Sequence, residues 1–214
     1  MPAALESPAA SYATLVLAML LPTGWELRAQ DSAVSDDGRR VEMPAYSVRQ
    51  LRGGGWKLER DTNHQAIRFS RTRKFLLSKV QVTTLMVMRD SSPEELWGLS
   101  PQELADSLRD NEVGMMTVDA ALHGYQLKDI EVGLDTIAGK PLYSLRYQKV
   151  LLLPERWRED GILLLFFPED FAAQHILYAF FMTDFYKSPS LGKPMGVKRE
   201  PELINVLVSS LRIR

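Results

Sequence analysis

Two apolar runs, residues 162–167 and 176–186, constrain this chain more than any other feature, because only the short connector 168–174 separates them. Ile162, Leu163, Leu164, Leu165, Phe166 and Phe167 include no polar member, so a strand there is apolar on both faces and must be covered on both. The second run begins Ile176-Leu177-Tyr178-Ala179-Phe180-Phe181-Met182, and its aromatic content favours a strand, although periodicity alone leaves a buried helix open. Pro168, Glu169 and Asp170 break the chain between the two. The pattern predicts a hairpin at the centre of a sheet, and burial of each large side chain in it is worth about 1.5–3 kcal/mol.

The elements before and after this hairpin follow from period and punctuation. Tyr46 to Val48 is a candidate first strand. Trp56 to Arg60 alternates apolar with charged residues, and Ile67 and Phe69 continue the period after a turn, which predicts a hairpin with one wet face. Residues 79–88 read as a longer strand with Val80, Val82, Thr84, Met86 and Met88 on one face. Two stretches, Ser92-Pro93-Glu94-Glu95 and Ser100-Pro101-Gln102-Glu103, match a capping box with proline at the first helical position. The second has a staple in Leu99 and Leu104, and Leu104, Leu108 and Met115, with Val113 or Met116, form one apolar stripe ending before Gly124.

Ile130, Val132, Leu134 and Thr136 alternate with polar residues, as do Tyr143, Leu145 and Tyr147, and Ala138-Gly139-Lys140-Pro141 joins them as a tight turn, which predicts an antiparallel hairpin. Residues 154–160 read as a polar loop, 187–199 as a long loop with two prolines and two glycines, and the chain closes on a helix from Pro201 with Leu203, Ile204, Leu207, Val208 and Leu211 on one face. The fold class is therefore α+β, an antiparallel β-sheet meander with helices packed on it as an α/β/α sandwich. The hairpin's two covers are the Ser100-capped helix and the closing helix.

Residues 1–40 stand apart as an apolar segment followed by a polar linker, and 41–214 as a single α+β domain. Leu15 to Leu21 is apolar but too short to span a bilayer. A signal peptide normally begins with positive charge, whereas the residues before this run contain Glu6 and no Lys or Arg. Export to the periplasm and cytoplasmic residence both remain open. No disulfide, thiol catalysis or thiolate metal site is possible, because the chain has no cysteine.

Catalytic templates are not met. His64, His123 and His175 are scattered, with no pair at helical ligand spacing, and Gly53-Gly54-Gly55 is followed by Trp56 rather than by the Lys-Ser/Thr of a phosphate loop. No cofactor and no metal is implied. His175 reads as a residue capping a strand. The net charge of −1 hides a dipolar chain: residues 39–79 hold eleven Lys or Arg against three acids, and residues 90–135 hold eleven acids against two bases. If the two parts pack together the charges pair at little energetic consequence. Otherwise Arg68, Arg71, Arg73 and Lys74 form a patch for an anionic partner. Nucleic acid is disfavoured because aromatics for base stacking are sparse there.

The segment Leu134-Asp135-Thr136-Ile137-Ala138-Gly139-Lys140-Pro141-Leu142-Tyr143 and the closing segment Ile204-Asn205-Val206-Leu207-Val208-Ser209-Ser210-Leu211-Arg212-Ile213, set in this element order, resemble the PsbP-like α/β/α sandwich superfamily, which also includes the nuclear import factor that binds the Ran GTPase. The resemblance covers Val41 to Arg214 and implies a non-catalytic accessory or binding domain, often exported in bacteria. It supplies no partner-binding residue, since no position matches one. The reading is of a non-enzymatic binding or accessory module, its partner another protein or an anionic surface met by Arg68, Arg71, Arg73, Lys74 and the 187–199 loop. The alternative is a carrier of a small molecule or lipid on an aromatic sheet face near Tyr143, Tyr147, Tyr178 and Phe180. An enzyme assembled from remote residues is the third.

Overall fold

The computed structural model describes residues 40–51, 55–74, 80–92, 94–151, 157–187 and 201–214. Its main body is a seven-stranded sheet whose neighbours are all antiparallel. In spatial order the strands are β3 (Lys57–Asp61), β4 (Ala66–Lys74), β5 (Val80–Ser91), β9 (Ile176–Lys187), β8 (Trp157–Phe166), β7 (Lys140–Leu151) and β6 (Gln126–Ile137). A smaller sheet joins β1 (Arg40–Glu42), β2 (Tyr46–Arg49) and the two-residue β10 (Arg212–Ile213). Three α-helices and a 3₁₀ turn complete the described chain: α1 (Pro101–His123), the single turn α2 (Phe171–Gln174), α3 (Pro201–Ser210) and the 3₁₀ turn Glu94–Leu96. This is the α+β sandwich expected, with strands β8 and β9 in the middle of the sheet.

Because successive side chains of a strand point to opposite faces, the central hairpin feeds two cores. Leu164, Phe180 and Met182 enter one, closed by Ile204, Leu207 and Val208 of α3 and by Val41, Tyr46 and Val48 of the small sheet. Leu163, Leu165 and Ala179 enter the other, closed by Leu104, Ala105 and Met116 of α1. The two covers named from the sequence are thus the two that form, on opposite faces. On β5 the more deeply buried face is the one carrying Leu85 and Val87, because it lies under α3 and the small sheet, whereas the 80–88 face lies under α1 only at Met86 and Met88.

Helix α1 starts as its capping box dictates: the Ser100 hydroxyl accepts from the Glu103 backbone N–H and the Glu103 carboxylate accepts from the Ser100 backbone N–H. It stops at Gly124, whose φ of 72° is the left-handed conformation that favours glycine. The Ser92 box does not start an α-helix. Only a 3₁₀ turn, Glu94–Leu96, follows, since Gly98 and the next cap at Ser100 leave too few residues to repay helix nucleation.

Part of the stretch read as a polar loop is strand. Trp157 to Asp160 pair with β7 on one side and β9 on the other, and Trp157 packs against Tyr125 and Phe185 at ring distances of 5.6 Å. The connector between β8 and β9 holds the turn α2, which buries Phe171. The targeting segment, the polar linker and most of the 187–199 loop lie outside the described residues.

Candidate functional site, a groove between helix α1 and edge strand β6

The two edges of the large sheet differ in kind. Strand β3 is short and carries Lys57, Glu59, Arg60 and Asp61, devices that discourage further strand pairing. Strand β6 is twelve residues long, with Val132 51% and Leu134 63% exposed and Ile130 exposed beside them. Its pairing with β7 places Val132 opposite Leu145 and Leu134 opposite Tyr143, so these side chains share the face covered by α1. Helix α1 does not reach far enough across to cover them. A register shift between Lys128 and Glu131, with Asp129 at a φ of 50°, marks a bulge near the start of the strand.

Between α1 and β6 two adjoining hollows share Leu134 and Tyr143 in their walls. The smaller, about 220 Å³, lies against Ala105, Asp106, Arg109, Val132 and Leu145. The larger, about 670 Å³, is bounded by Trp97, Tyr143, Phe167, His175, Glu103 and Glu169. Local structure holds its outer wall still. The Trp97 indole N–H donates to the Ser92 carbonyl at 2.8 Å, and the ring stacks on His175 at 4.4 Å and 3°. His175, at the end of α2 with a φ of 55°, donates its backbone N–H to the Phe171 carbonyl and accepts from the Ser92 N–H, both at 2.7 Å. It therefore stands where a strand-capping residue was expected, immediately before β9.

Electrostatics of this side are acidic. From Pro101 to Ile137, covering α1 and β6, the chain carries eight acids and two bases, Arg109 and Lys128. Arg109 is already held by Asp106 and Asp110, each at 2.7 Å.

Farther along the same face a closed cluster of ionisable groups lies under α1. Glu112 is 2% exposed and one of its carboxylate oxygens has no hydrogen-bond partner. Burial pushes its pKa up to about 7, with the Lys149 ammonium acting in the opposite direction. Lys149 lies 3.6 Å from Glu159 and over the rings of Tyr125 and Tyr147. Burial first, and the Glu159 carboxylate next, hold the Tyr147 phenol far above its ordinary value. The cluster is a buried ion pair with a neighbouring acid, and no open hollow among those described reaches it.

The residues named from the sequence are distributed as follows. Tyr143 lines both hollows, and Tyr147 is buried on the same face against the Glu159 carboxylate. Tyr178 and Phe180 lie on the opposite face, in the core under α3, so the four aromatics do not form one surface. The basic segment is divided by the same pleat. Arg68 and Lys74 share a face with Ala66, while Arg71 and Arg73 share the other with Ile67 and Phe69. Arg71 is only 7% exposed and its guanidinium lies 4.4 Å from the Trp56 ring centre, and Arg68 pairs with Glu59 at 3.6 Å. The segment does not present one continuous patch.

Sequence reasoning missed Trp97 and Glu112. Glu112 was legible: Leu104 and Leu108 set an i, i+4 stripe whose next member is Glu112 itself, a carboxylate on the apolar face. Trp97 had no such signal, since its position depends on Ser92 and His175, which lie on separate elements. No three or more His, Cys, Asp or Glu among the described residues are placed to hold a metal, and no helix among them is long and apolar enough to cross a membrane.

No family model matches the chain, and no curated protein matches it. Among solved structures it is similar to the solution structure of cyanobacterial PsbP (CyanoP) from Synechocystis sp. PCC 6803, at 14% identity and a TM-score of 0.39, over 77% of this chain and 95% of that one. The site rests on this chain's own residues.

Proposed function

We propose that this protein is a non-catalytic binding module that takes an extended segment of a partner protein along β6. One observation carries the reading: among the described residues no strand pairs with the outer edge of the long strand β6, and Ile130, Val132 and Leu134 stand exposed beside a groove, whereas the opposite edge is short and charged. An incoming strand pairs with the backbone groups of that edge and lays alternate side chains on the apolar row. Charge selects the occupant. Eight acids against two bases on α1 and β6 favour a segment that alternates apolar with basic residues. A second copy of this chain is disfavoured, because antiparallel self-pairing about Val132 sets Asp129 of one strand against Asp135 of the other.

The test uses short blocked peptides titrated against the full chain by fluorescence anisotropy. A peptide alternating valine with lysine binds, and the same peptide with N-methylated backbone on its pairing edge does not. Equal binding of the N-methylated peptide, or of one alternating valine with glutamate, refutes strand addition. A dimer in sedimentation velocity that Val132→Lys dissolves replaces the partner with a second copy.

A further inference from the structure

We infer that the larger hollow is a binding site for an alkylammonium group. This does not depend on strand addition at β6. Three features of the hollow point to the ligand's chemistry. Its walls include Trp97, Tyr143, Phe167 and Phe171, rings whose faces carry negative charge density and attract a desolvated cation. Among the described residues that line it, the formally charged side chains are the carboxylates of Glu103 and Glu169, with no Lys or Arg. An anion therefore meets no Lys or Arg there, only the His175 ring and the N-terminus of α1, whereas a cation has the Glu169 carboxylate and that of Glu103, which also accepts from Ser100 in the α1 cap.

The third feature is the state of Trp97. The side chain is 47% exposed, yet it is fixed by the hydrogen bond from its indole N–H to the Ser92 carbonyl and by the parallel stack on His175. Immobilising an exposed aromatic ring on binding costs entropy. A ring held in place before binding spares the ligand that cost. Tyr143 is oriented in the same way by Phe167, whose ring meets it edge-on at 5.5 Å. Volume fits as well: about 670 Å³ is ample for an ammonium head with its alkyl chain.

Atoms of one chemical class come from two sources here, a lysine side chain of a protein or a free quaternary amine, and the experiment separates them. The full chain is titrated with tetramethylammonium chloride, with tert-butyl alcohol as its uncharged near-isostere, and with N-acetyl-lysine methylamide, ionic strength being matched by sodium chloride. The readout is the indole N–H resonance of Trp97, assigned by its loss in Trp97→Phe. Tetramethylammonium or the lysine derivative gives a saturable shift, with the alcohol weaker by about tenfold. The tighter of the two cations names the source. Glu169→Gln, a change on an exposed loop, weakens the cation by about threefold and leaves the alcohol unchanged. Binding of the alcohol as strong as that of both cations, or no shift with any of the three at a Trp97 signal showing native dispersion, overturns the assignment.

Discussion

The Tyr147 ring occupies the space that a side chain at Gly161 would need. These residues face each other across β7 and β8, and a Cβ built on Gly161 falls 2.5 Å from both Cε1 and Cε2 of the ring. The glycine is therefore required by a close approach rather than by an unusual backbone angle. Gly161→Ala forces the buried Tyr147 ring to move and lowers stability by about 1–3 kcal/mol, the range for overpacking a core. Urea denaturation checks the loss. In the double variant Gly161→Ala with Tyr147→Leu, part of that loss is recovered, because the clash is removed; an additive loss refutes the contact as its cause.

How much of this could be read from the residues depends on the range of the interaction. The central hairpin, the Ser100 cap and the 138–141 turn are local, and each was legible because its cause lies within a few residues. The small sheet was not. Its β10 is two residues long and pairs with Tyr46 and Ser47 from the other end of the described chain, held also by Arg214, which bonds the Ala45 carbonyl and the Glu42 carboxylate. Nothing in a two-residue strand announces such a partner. The site fell between these cases. Tyr143 was identifiable as an inward aromatic on a strand, but its separation from Tyr178 and Phe180 is set by register, where one residue of offset exchanges the faces.

Glu112 makes stability fall as pH rises. Its folded pKa of about 7 lies above the ordinary 4.5, so the folded chain holds the proton more tightly than the unfolded one. The favourable contribution is complete below about pH 4.5 and is lost as pH rises through 7. Lys149, Glu159, Tyr125 and Tyr147 are the charged and titratable groups around it, and the Lys149–Glu159 pair is already neutral as a unit. Glu112→Gln abolishes this slope and leaves the chain more stable than wild type at pH 8, by at most about 3 kcal/mol. Urea midpoints at pH 5 and pH 8 decide it: an unchanged difference between the two pH values in the variant shows that other groups cause the slope.

The Ser100 cap is a local and separable contribution. Its hydroxyl accepts from the Glu103 N–H and also donates to the Glu103 carboxylate, and the Ser100 backbone N–H first, with that hydroxyl next, holds the carboxylate below its ordinary pKa. Ser100→Ala costs about 1 kcal/mol, and Ser100→Asp, which restores an acceptor at the helix N-terminus, costs less. Hydrogen exchange at the first turn of α1 provides the readout beside the thermal midpoint. Faster exchange confined to that turn is expected, and exchange unchanged there means that packing on the sheet, not the cap, holds the turn.

Edge strand β6 separates binding from stability. Val132 and Leu134 are more than half exposed, so replacing them with lysine removes little buried area and leaves the unfolding free energy within about 0.5 kcal/mol of wild type. The same substitutions put positive charge where a basic, alternating segment must lie, so binding of the valine–lysine peptide falls by about tenfold or more. Leu163 provides the contrast. It is buried under α1 on the same face, and Leu163→Ala costs roughly 2–5 kcal/mol by opening a cavity while leaving the edge itself unaltered in chemistry. The pair of results discriminates between an edge used for recognition and one that merely happens to be apolar. A double variant Val132→Lys with Leu134→Lys that retains full peptide affinity removes β6 from the binding surface, and one that unfolds shows these side chains to be part of the core.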